Sequence, residues 1–112
     1  MGKFRVFIDK DDKWRFNLHA SNNQVILVSE GYASNRNVQR GIKAIKQNSL
    51  VNSLFKRHNK RRLLFFRYYW FTLTGRNHKI VGVSEMYRSV QAMEKGIMSV
   101  KINAYDAKII YD

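Results

Sequence analysis

Cationic and aromatic side chains lie close together in the middle of the chain, in a pattern that suits the binding of a polyanion. Lys60-Arg61-Arg62 and Arg67 precede the aromatic residues Tyr68 and Trp70. Aromatic rings offer flat surfaces on which unpaired bases stack, and neighbouring cations neutralise phosphates. The residues that we predict to contact nucleic acid are Arg36, Arg40, Lys43, Lys56, Arg57, Lys60, Arg61, Arg62, Arg67, Tyr68 and Trp70.

The charge of the whole chain supports this prediction. Its 21 Lys and Arg residues against 8 Asp and Glu residues give a formal net charge of +13. The excess is uneven, because no acidic residue lies between Glu30 and Glu85. Cations at this density repel one another unless counterions or a polyanion relieve the repulsion, and nucleic acid is the commonest polyanion in a cell. The alternative is that the charge only keeps a small protein in solution.

The sequence contains no recognisable catalytic constellation. His19, His58 and His78 share no metal-ligand spacing with each other or with a carboxylate. Ser29-Glu30 recurs as Ser84-Glu85, and this pair is more typical of a turn at a strand end than of acid–base chemistry. There is no glycine loop for phosphates and no nucleophile motif. We therefore predict a non-enzymatic protein without a metal or cofactor.

Composition also bounds the cellular setting. The chain has no cysteine, which fits a reducing compartment. No apolar run approaches the roughly 20 residues of a membrane helix, and the first residues lack the apolar core of a signal peptide. The sequence predicts a cytoplasmic protein with no membrane partner.

An internal duplication indicates which elements position the predicted binding residues. At an offset of 55, residues 13–48 align with residues 68–103 without a gap, and 12 of these 36 positions are identical. They include Phe16/Phe71 and Leu18/Leu73. Such self-similarity is the signature of a tandem repeat. We place the first repeat at residues 1–52 and the second at residues 53–112.

Each repeat reads as three strands followed by one helix. Apolar residues alternate with polar ones before each helix, which is the period of a half-buried strand. Ser34 and Ser89 are good helix N-caps, and the apolar residues after them recur at helical spacing. We therefore predict helices near residues 34–48 and 89–103. In the second repeat we predict a short strand at 53–57, a long strand at 61–73 and a third strand at 79–83. A turn at 58–60 joins the first two.

These motifs resemble a known family. Ser29-Glu30-Gly31-Tyr32 and Gly41-Ile42, with Ser84-Glu85-Met86-Tyr87 and Gly96-Ile97 in the second repeat, are similar to the YegP-like family of tandem-repeat bacterial proteins. The resemblance implies an α+β fold of two β-β-β-α repeats, in which the antiparallel strands of each repeat are covered by one helix. It implies no catalytic residues. The strong positive charge and the segment 50–68 depart from the family pattern.

The duplication also predicts which face of the aromatic strand is exposed. Phe71 and Leu73 align with Phe16 and Leu18, so we expect them to point into the core together with Tyr69. Successive strand residues face opposite sides, which turns Tyr68 and Trp70 outward with Leu64 and Phe66. Trp70 and Tyr68 are therefore expected to be partly exposed or at an interface, and Tyr69 and Phe71 to be buried.

On the first helix, Arg36, Arg40 and Lys43 fall on one stripe, opposite the apolar face. A basic helix face is usually only solvated, so this stripe alone is weak evidence for a binding site.

The sequence thus favours a basic protein associated with nucleic acid, with RNA favoured over DNA because aromatic surfaces suit unstacked bases. It could act on a ribonucleoprotein complex, for example as a phage-encoded inhibitor. The alternative is a protein-interaction module that binds an acidic partner, or itself as a homodimer, through residues 61–73.

Overall fold

The computed structural model describes residues 2–112 and consists of one seven-stranded sheet with two helices. The strand order in the sheet is β4-β5-β6-β3-β2-β1-β7. In chain order the elements are β1 Lys3–Ile8, β2 Trp14–His19, β3 Val25–Val28, α1 Asn35–Asn48, a 3₁₀ turn Asn52–Leu54, β4 Phe55–Leu63, β5 Phe66–Thr74, β6 Ile80–Val83, α2 Val90–Ala104 and β7 Lys108–Tyr111. This architecture confirms the predicted α+β class and the two tandem repeats.

The two repeats meet at the centre of the sheet. β3 and β6 pair antiparallel there, with Val28 opposite Val83. These two valines are equivalent residues of the duplication, since they are 55 positions apart. An antiparallel pair of equivalent strands relates the repeats by an approximate twofold rotation, so the sheet is continuous from one repeat to the other.

Both helices begin where they were predicted. The Ser34 hydroxyl accepts a hydrogen bond from the Asn37 backbone N–H, and the Ser89 hydroxyl accepts one from the Ala92 N–H. Helix α1 packs on β2 and also on β5 and β6 of the other repeat, and α2 packs on β5 and on β2 and β3. Each helix therefore covers strands of both repeats, and the repeats share one core. Within residues 2–112, no helix is long and apolar enough to cross a membrane.

The core contains equivalent residues from both repeats. Its fully buried side chains include Phe4, Val6, Phe16, Leu18, Val38, Ile42, Ile45, Phe71, Leu73, Ile97 and Val100. The Ser29 hydroxyl accepts a bond from the Phe16 N–H and donates to the Glu30 carbonyl, and Ser84 does the same with Phe71 and Glu85. The two serines therefore have the structural role at a strand end that the sequence predicts.

Gly41 and Gly96 make room for an aromatic stack. Tyr32 stacks on Phe16 and Tyr87 stacks on Phe71, with ring centroids 6.2 and 6.3 Å apart. A methyl group at Gly96 would overlap the Tyr87 hydroxyl, and one at Gly41 would lie 2.8 Å from that of Tyr32. Burial of its phenol, and then the charge of Glu85, raise the pKa of Tyr87 to about 12.

The hairpin that opens the second repeat differs from its prediction. Strand β4 spans nine residues, and the chain turns after Leu63 rather than at residues 58–60. The predicted long strand at 61–73 is therefore the end of β4, the turn and most of β5. Local turn chemistry at Asn59 was misleading, because continued pairing of β4 with β5 satisfies more backbone hydrogen bonds than an early turn would.

Pairing registers show how the two hairpins are related. Phe4 lies opposite Leu18 in the first, and Phe55 lies opposite Leu73 in the second. Phe55 follows Phe4 by 51 positions, whereas Leu73 follows Leu18 by 55. The β4–β5 hairpin is therefore four residues longer than the β1–β2 hairpin.

Strand β7 was not predicted, and it makes a parallel pair in a sheet that we expected to be antiparallel. It lies beside β1, with Lys3 opposite Lys108 and Val6 opposite Tyr111. Four residues after a helix carry little periodic signal, and their parallel pairing joins the two ends of the chain, which local patterns do not encode.

Candidate nucleic-acid interface

The face of the sheet opposite the helices is open to solvent. Residues that lie opposite one another on adjacent strands share a face of the sheet. The row on this face consists, in order across the sheet, of Lys56, Thr72, Val83, Val28 and Asn17. Because strand side chains alternate, His58, Lys60, Tyr68 and Trp70 lie on the same face of the β4–β5 hairpin. The open face therefore carries most of its aromatic surface at one end.

The burial of the four aromatic positions largely follows the prediction. Phe71 is fully buried, and Tyr68 and Trp70 are half-buried. Tyr69 differs, since it is half-buried rather than buried, although it packs against the core. Its backbone pairs with that of Tyr87.

Trp70 is held in place by its neighbour on β4. The His58 and Trp70 rings stack with centroids 5.2 Å apart and an interplanar angle of 20°. The His58 Nε2 atom hydrogen-bonds to the Thr72 hydroxyl at 3.0 Å. A ring that is already oriented loses little conformational entropy when a base stacks on it.

Cations surround the second aromatic ring. The guanidinium of Arg62 lies over the Tyr68 ring, 5.5 Å from its centroid, and Lys60 lies opposite Tyr68 in the strand register. A cavity of about 500 Å³ opens here, which we call the aromatic cavity. It is lined by Lys60, Arg61, Arg62, Tyr68, Trp70 and Met86. This lining combines three cations with two aromatic rings and contains no carboxylate.

Two arginines of the first repeat pair with carboxylates, in contrast to the cations of this cavity. Arg15 pairs with Asp9 at 2.5 Å, and Arg5 pairs with Asp112 at 2.9 Å. Within residues 2–112, no carboxylate lies within ion-pair distance of Lys56, Lys60 or Arg62. Their charges remain available to an anionic ligand.

Three predicted residues lie on the other face of the hairpin. Arg57 donates two hydrogen bonds to Glu94 of α2, at 2.6 and 3.0 Å, and this interaction lowers the pKa of Glu94 and raises that of Arg57. Arg67 donates to the Asn59 side chain at 2.5 Å and lies opposite Arg61. A β-bulge between Arg61 and Leu63 nevertheless brings Arg61 to the rim of the cavity.

The remaining predicted residues form a separate surface. Arg36, Arg40 and Lys43 are exposed on α1, which lies on the opposite side of the sheet from Trp70. Arg40 lines a second cavity of about 660 Å³, between α1 and the turn at residues 75–79, to which Arg76 and Lys79 also contribute. The structure thus separates these three residues, and also Arg57 and Arg67, from the cavity beside Tyr68 and Trp70.

Sequence reasoning missed two residues near Trp70, namely His58, which stacks on it, and Met86, which lines the cavity. His58 was assigned to a turn, although its spacing of two from Lys56 and Lys60 suited a continuous strand. Met86 belongs to the other end of the repeat and reaches the cavity only through folding. In the described part of the chain, no three His, Asp or Glu side chains come together as a metal site.

Comparison with known proteins places the chain in a family. It matches DUF1508, a domain of unknown function, in two segments at residues 9–54 and 67–110. It is 37% identical over 109 residues to a UPF0339 protein from the 5′ region of the ptx operon of Stutzerimonas stutzeri, covering 97% of this chain and 95% of that protein. It is 36% identical to the UPF0339 protein YegP of Yersinia pestis, covering 97% and 94%.

Solved structures agree with this assignment. The solution structure of YegP from E. coli has a TM-score of 0.87 at 32% identity, covering 99% of this chain and 92% of that one. A UPF0339 protein from Shewanella oneidensis has a TM-score of 0.84 at 31% identity, covering 98% and 90%. The repeat, the fold and the sequence similarity together establish that this chain belongs to the DUF1508 family of YegP-like tandem-repeat proteins.

Proposed function

We propose that this protein is a non-enzymatic nucleic-acid-binding protein that holds single-stranded RNA on the open face of the β4–β5 hairpin. The observation that carries the proposal is the cavity where Trp70 and Tyr68 lie beside unpaired Lys60 and Arg62. Proteins that bind single strands combine stacking surfaces with cations in this way. The lack of cysteine fits a cytoplasmic location, where such a ligand, alone or in a ribonucleoprotein, is abundant.

The aromatic side chains contact the bases, and the cationic side chains contact the phosphates. Trp70 and Tyr68 are two residues apart on one strand face, roughly 7 Å at the usual rise per residue, so successive unstacked bases can each meet one ring. Lys56, Lys60 and Arg62 then lie beside the phosphates that connect those bases. RNA is favoured over duplex DNA because paired bases cannot reach the rings.

The basic stripe of α1 contributes in a different way. Arg36, Arg40 and Lys43 face away from the aromatic cavity, so they do not contact the same nucleotides. Their charges raise the local concentration of any polyanion and accelerate its association with the protein. Their replacement should slow association with every nucleic acid about equally, whatever its sequence.

A fluorescence-anisotropy titration with a short single-stranded RNA tests the proposal, with the matching DNA duplex and an acidic protein as controls. Affinity for RNA should fall linearly with rising salt on logarithmic axes, since binding releases counterions from the phosphates. Lys60→Gln should reduce both the affinity and the salt dependence. Lys10→Gln, which removes a matched exposed lysine from the β1–β2 hairpin, should change neither beyond the loss of one net charge.

The alternative function, binding of an acidic protein or of a second copy, makes opposite predictions. Tight binding to the acidic control with no binding to RNA at low salt would replace RNA by a protein partner. The edge strand β4 carries Lys56, Arg57, Lys60, Arg61 and Arg62. Like charges on an edge strand oppose its pairing with another copy, which favours the nucleic-acid proposal over self-association.

A further inference from the structure

The tip of the β4–β5 hairpin exposes four consecutive large apolar side chains. Leu63 is 65% exposed, Leu64 80%, Phe65 92% and Phe66 56%. Single apolar residues are common on protein surfaces, but a contiguous exposed group marks a surface that another molecule covers. Nothing else in residues 2–112 covers this group.

The tip is separate from the parts of the chain that build the fold. It belongs to the hairpin that is four residues longer than its counterpart, and the core ends at Phe55 and Phe71. The two segments that match the DUF1508 family stop at residue 54 and resume at residue 67, which leaves the tip outside them. The fold therefore does not require these four residues to be apolar.

A ring of cations surrounds the base of the tip. Lys60, Arg61, Arg62 and Arg67 are all exposed, and Arg61 lies directly opposite Arg67 in the hairpin. Like charges that face each other across two strands destabilise a hairpin. These cations are thus unfavourable for the isolated hairpin and are relieved by contact with an anionic surface.

The partner must offer an apolar region beneath a layer of negative charge. RNA supplies the charge but offers no apolar medium for Leu64 beyond its bases. A second copy supplies apolar residues, but two tips would bring their cationic rings together in a chain of net charge +13. An anionic lipid bilayer has both properties, since hydrocarbon lies directly below its charged headgroups.

We propose that the tip of the β4–β5 hairpin inserts into the surface of an anionic lipid bilayer. Leu64 and Phe65 enter the boundary between headgroups and acyl chains, and Arg61, Arg62 and Arg67 contact the lipid phosphates. This contact is peripheral, so it needs no membrane-spanning segment. The expectation of no membrane partner, drawn from the absence of such a segment, does not apply to it.

Co-sedimentation with lipid vesicles tests this inference directly. The full chain should pellet with vesicles that contain phosphatidylglycerol and should bind much less to vesicles of phosphatidylcholine alone, because each juxtamembrane cation gains from anionic lipid. Leu64→Asp should weaken binding to the anionic vesicles by about tenfold or more, since burial of a leucine is lost and a charge is added. Because Leu64 is exposed, the circular dichroism of this variant should match that of the wild type.

Leu50→Asp provides a matched control. Leu50 is also exposed, at 61%, but it follows α1 and is not part of the tip. Its substitution adds the same charge, so it should change vesicle binding by no more than about twofold.

Three results would overturn the proposal. The first is equal binding of wild type and Leu64→Asp to anionic vesicles, and the second is equal loss in both leucine variants. The third is a wild-type dimer that Leu64→Asp converts to a monomer in sedimentation, with no binding to vesicles. The RNA affinity of Leu64→Asp separates the two proposals. It should equal that of the wild type, because the substitution leaves the cavity beside Tyr68 and Trp70 intact.

Discussion

The β1–β2 and β4–β5 hairpins are alike where they pack on the core and differ at their turns. At the base, Phe4 and Phe55 occupy equivalent buried positions opposite Leu18 and Leu73. At the end of the first hairpin, Asp9 accepts hydrogen bonds from the backbone N–H groups of Asp11 and Lys13 at 2.8 and 3.0 Å. At the end of the second, the chain turns through exposed apolar residues.

Their electrostatics differ as much as their polarity. A side-chain hydrogen bond from Arg15, followed by backbone hydrogen bonds, holds the pKa of Asp9 below its usual value. Asp9 therefore finds its charged and hydrogen-bonding partners within the first hairpin. In the second hairpin, Trp70 stands at the position equivalent to Arg15, and no acidic residue occurs between Glu30 and Glu85.

This difference separates the residues that the fold needs from those that are available for binding. Positions that are buried in both hairpins maintain the shared core. The residues beyond them form a self-contained polar turn in one repeat and an aromatic, cationic and apolar arm in the other. The first repeat thus closes its hairpin with a polar turn, and the second presents the surface to which both proposals above assign a ligand.

The largest effect is expected at the buried phenylalanine that both hairpins share, Phe16 in β2 and Phe71 in β5. Phe71→Ala should destabilise the protein by roughly 3–5 kcal/mol, the usual cost of emptying an aromatic core site. Phe16→Ala should cost about the same, because both rings are fully buried and each stacks on a tyrosine. Urea denaturation followed by circular dichroism measures both free energies of unfolding. A large effect in only one repeat would show that the two halves are not energetically equivalent.

The second largest effect is expected at a position where the two hairpins differ, Trp70 in β5 and Arg15 in β2. Trp70→Ala should leave the fold intact but weaken RNA binding by roughly 1–3 kcal/mol, the contribution of one stacked base. Arg15→Ala, at the equivalent position, should reduce affinity much less, because Arg15 already pairs with Asp9.

Anisotropy titrations give the RNA affinities of these variants, and sedimentation gives their masses. A change from dimer to monomer in Trp70→Ala, without loss of RNA affinity, would support self-association. Unfolding of Trp70→Ala together with a stable Phe71→Ala would contradict the register on which the comparison depends.

The smallest effect concerns the ion pair that ties the longer hairpin to α2. Glu94→Gln should lower the free energy of unfolding by about 1 kcal/mol or less at neutral pH, since both partners are partly exposed. Arg57 lowers the pKa of Glu94 in the folded state, so this stabilisation is present above the unfolded pKa and disappears as pH falls through the folded one.

Urea denaturation at neutral pH, and again below the folded pKa of Glu94, measures this contribution. Wild type and Glu94→Gln should differ in the first condition and coincide in the second. A difference that persists in acid would mean that Glu94 acts through packing rather than through its charge.

The amino-acid sequence by itself determined the repeats, both helices with their serine caps, and the inward and outward faces of the aromatic strand. These features depend on the spacing of apolar residues and on residues that are neighbours in the sequence, and both can be read directly from the sequence. The alignment of Phe71 with Phe16 was enough to place Trp70 on the outer face.

Only the tertiary structure decided where the longer hairpin turns, that β7 lies parallel to β1, and that Met86 joins the aromatic cavity. It also separated Arg36, Arg40 and Lys43 from Trp70 and paired Arg57 with Glu94. Each of these features depends on which distant segments pair and in which register. That choice minimises the free energy of the whole sheet and core, so no local pattern records it.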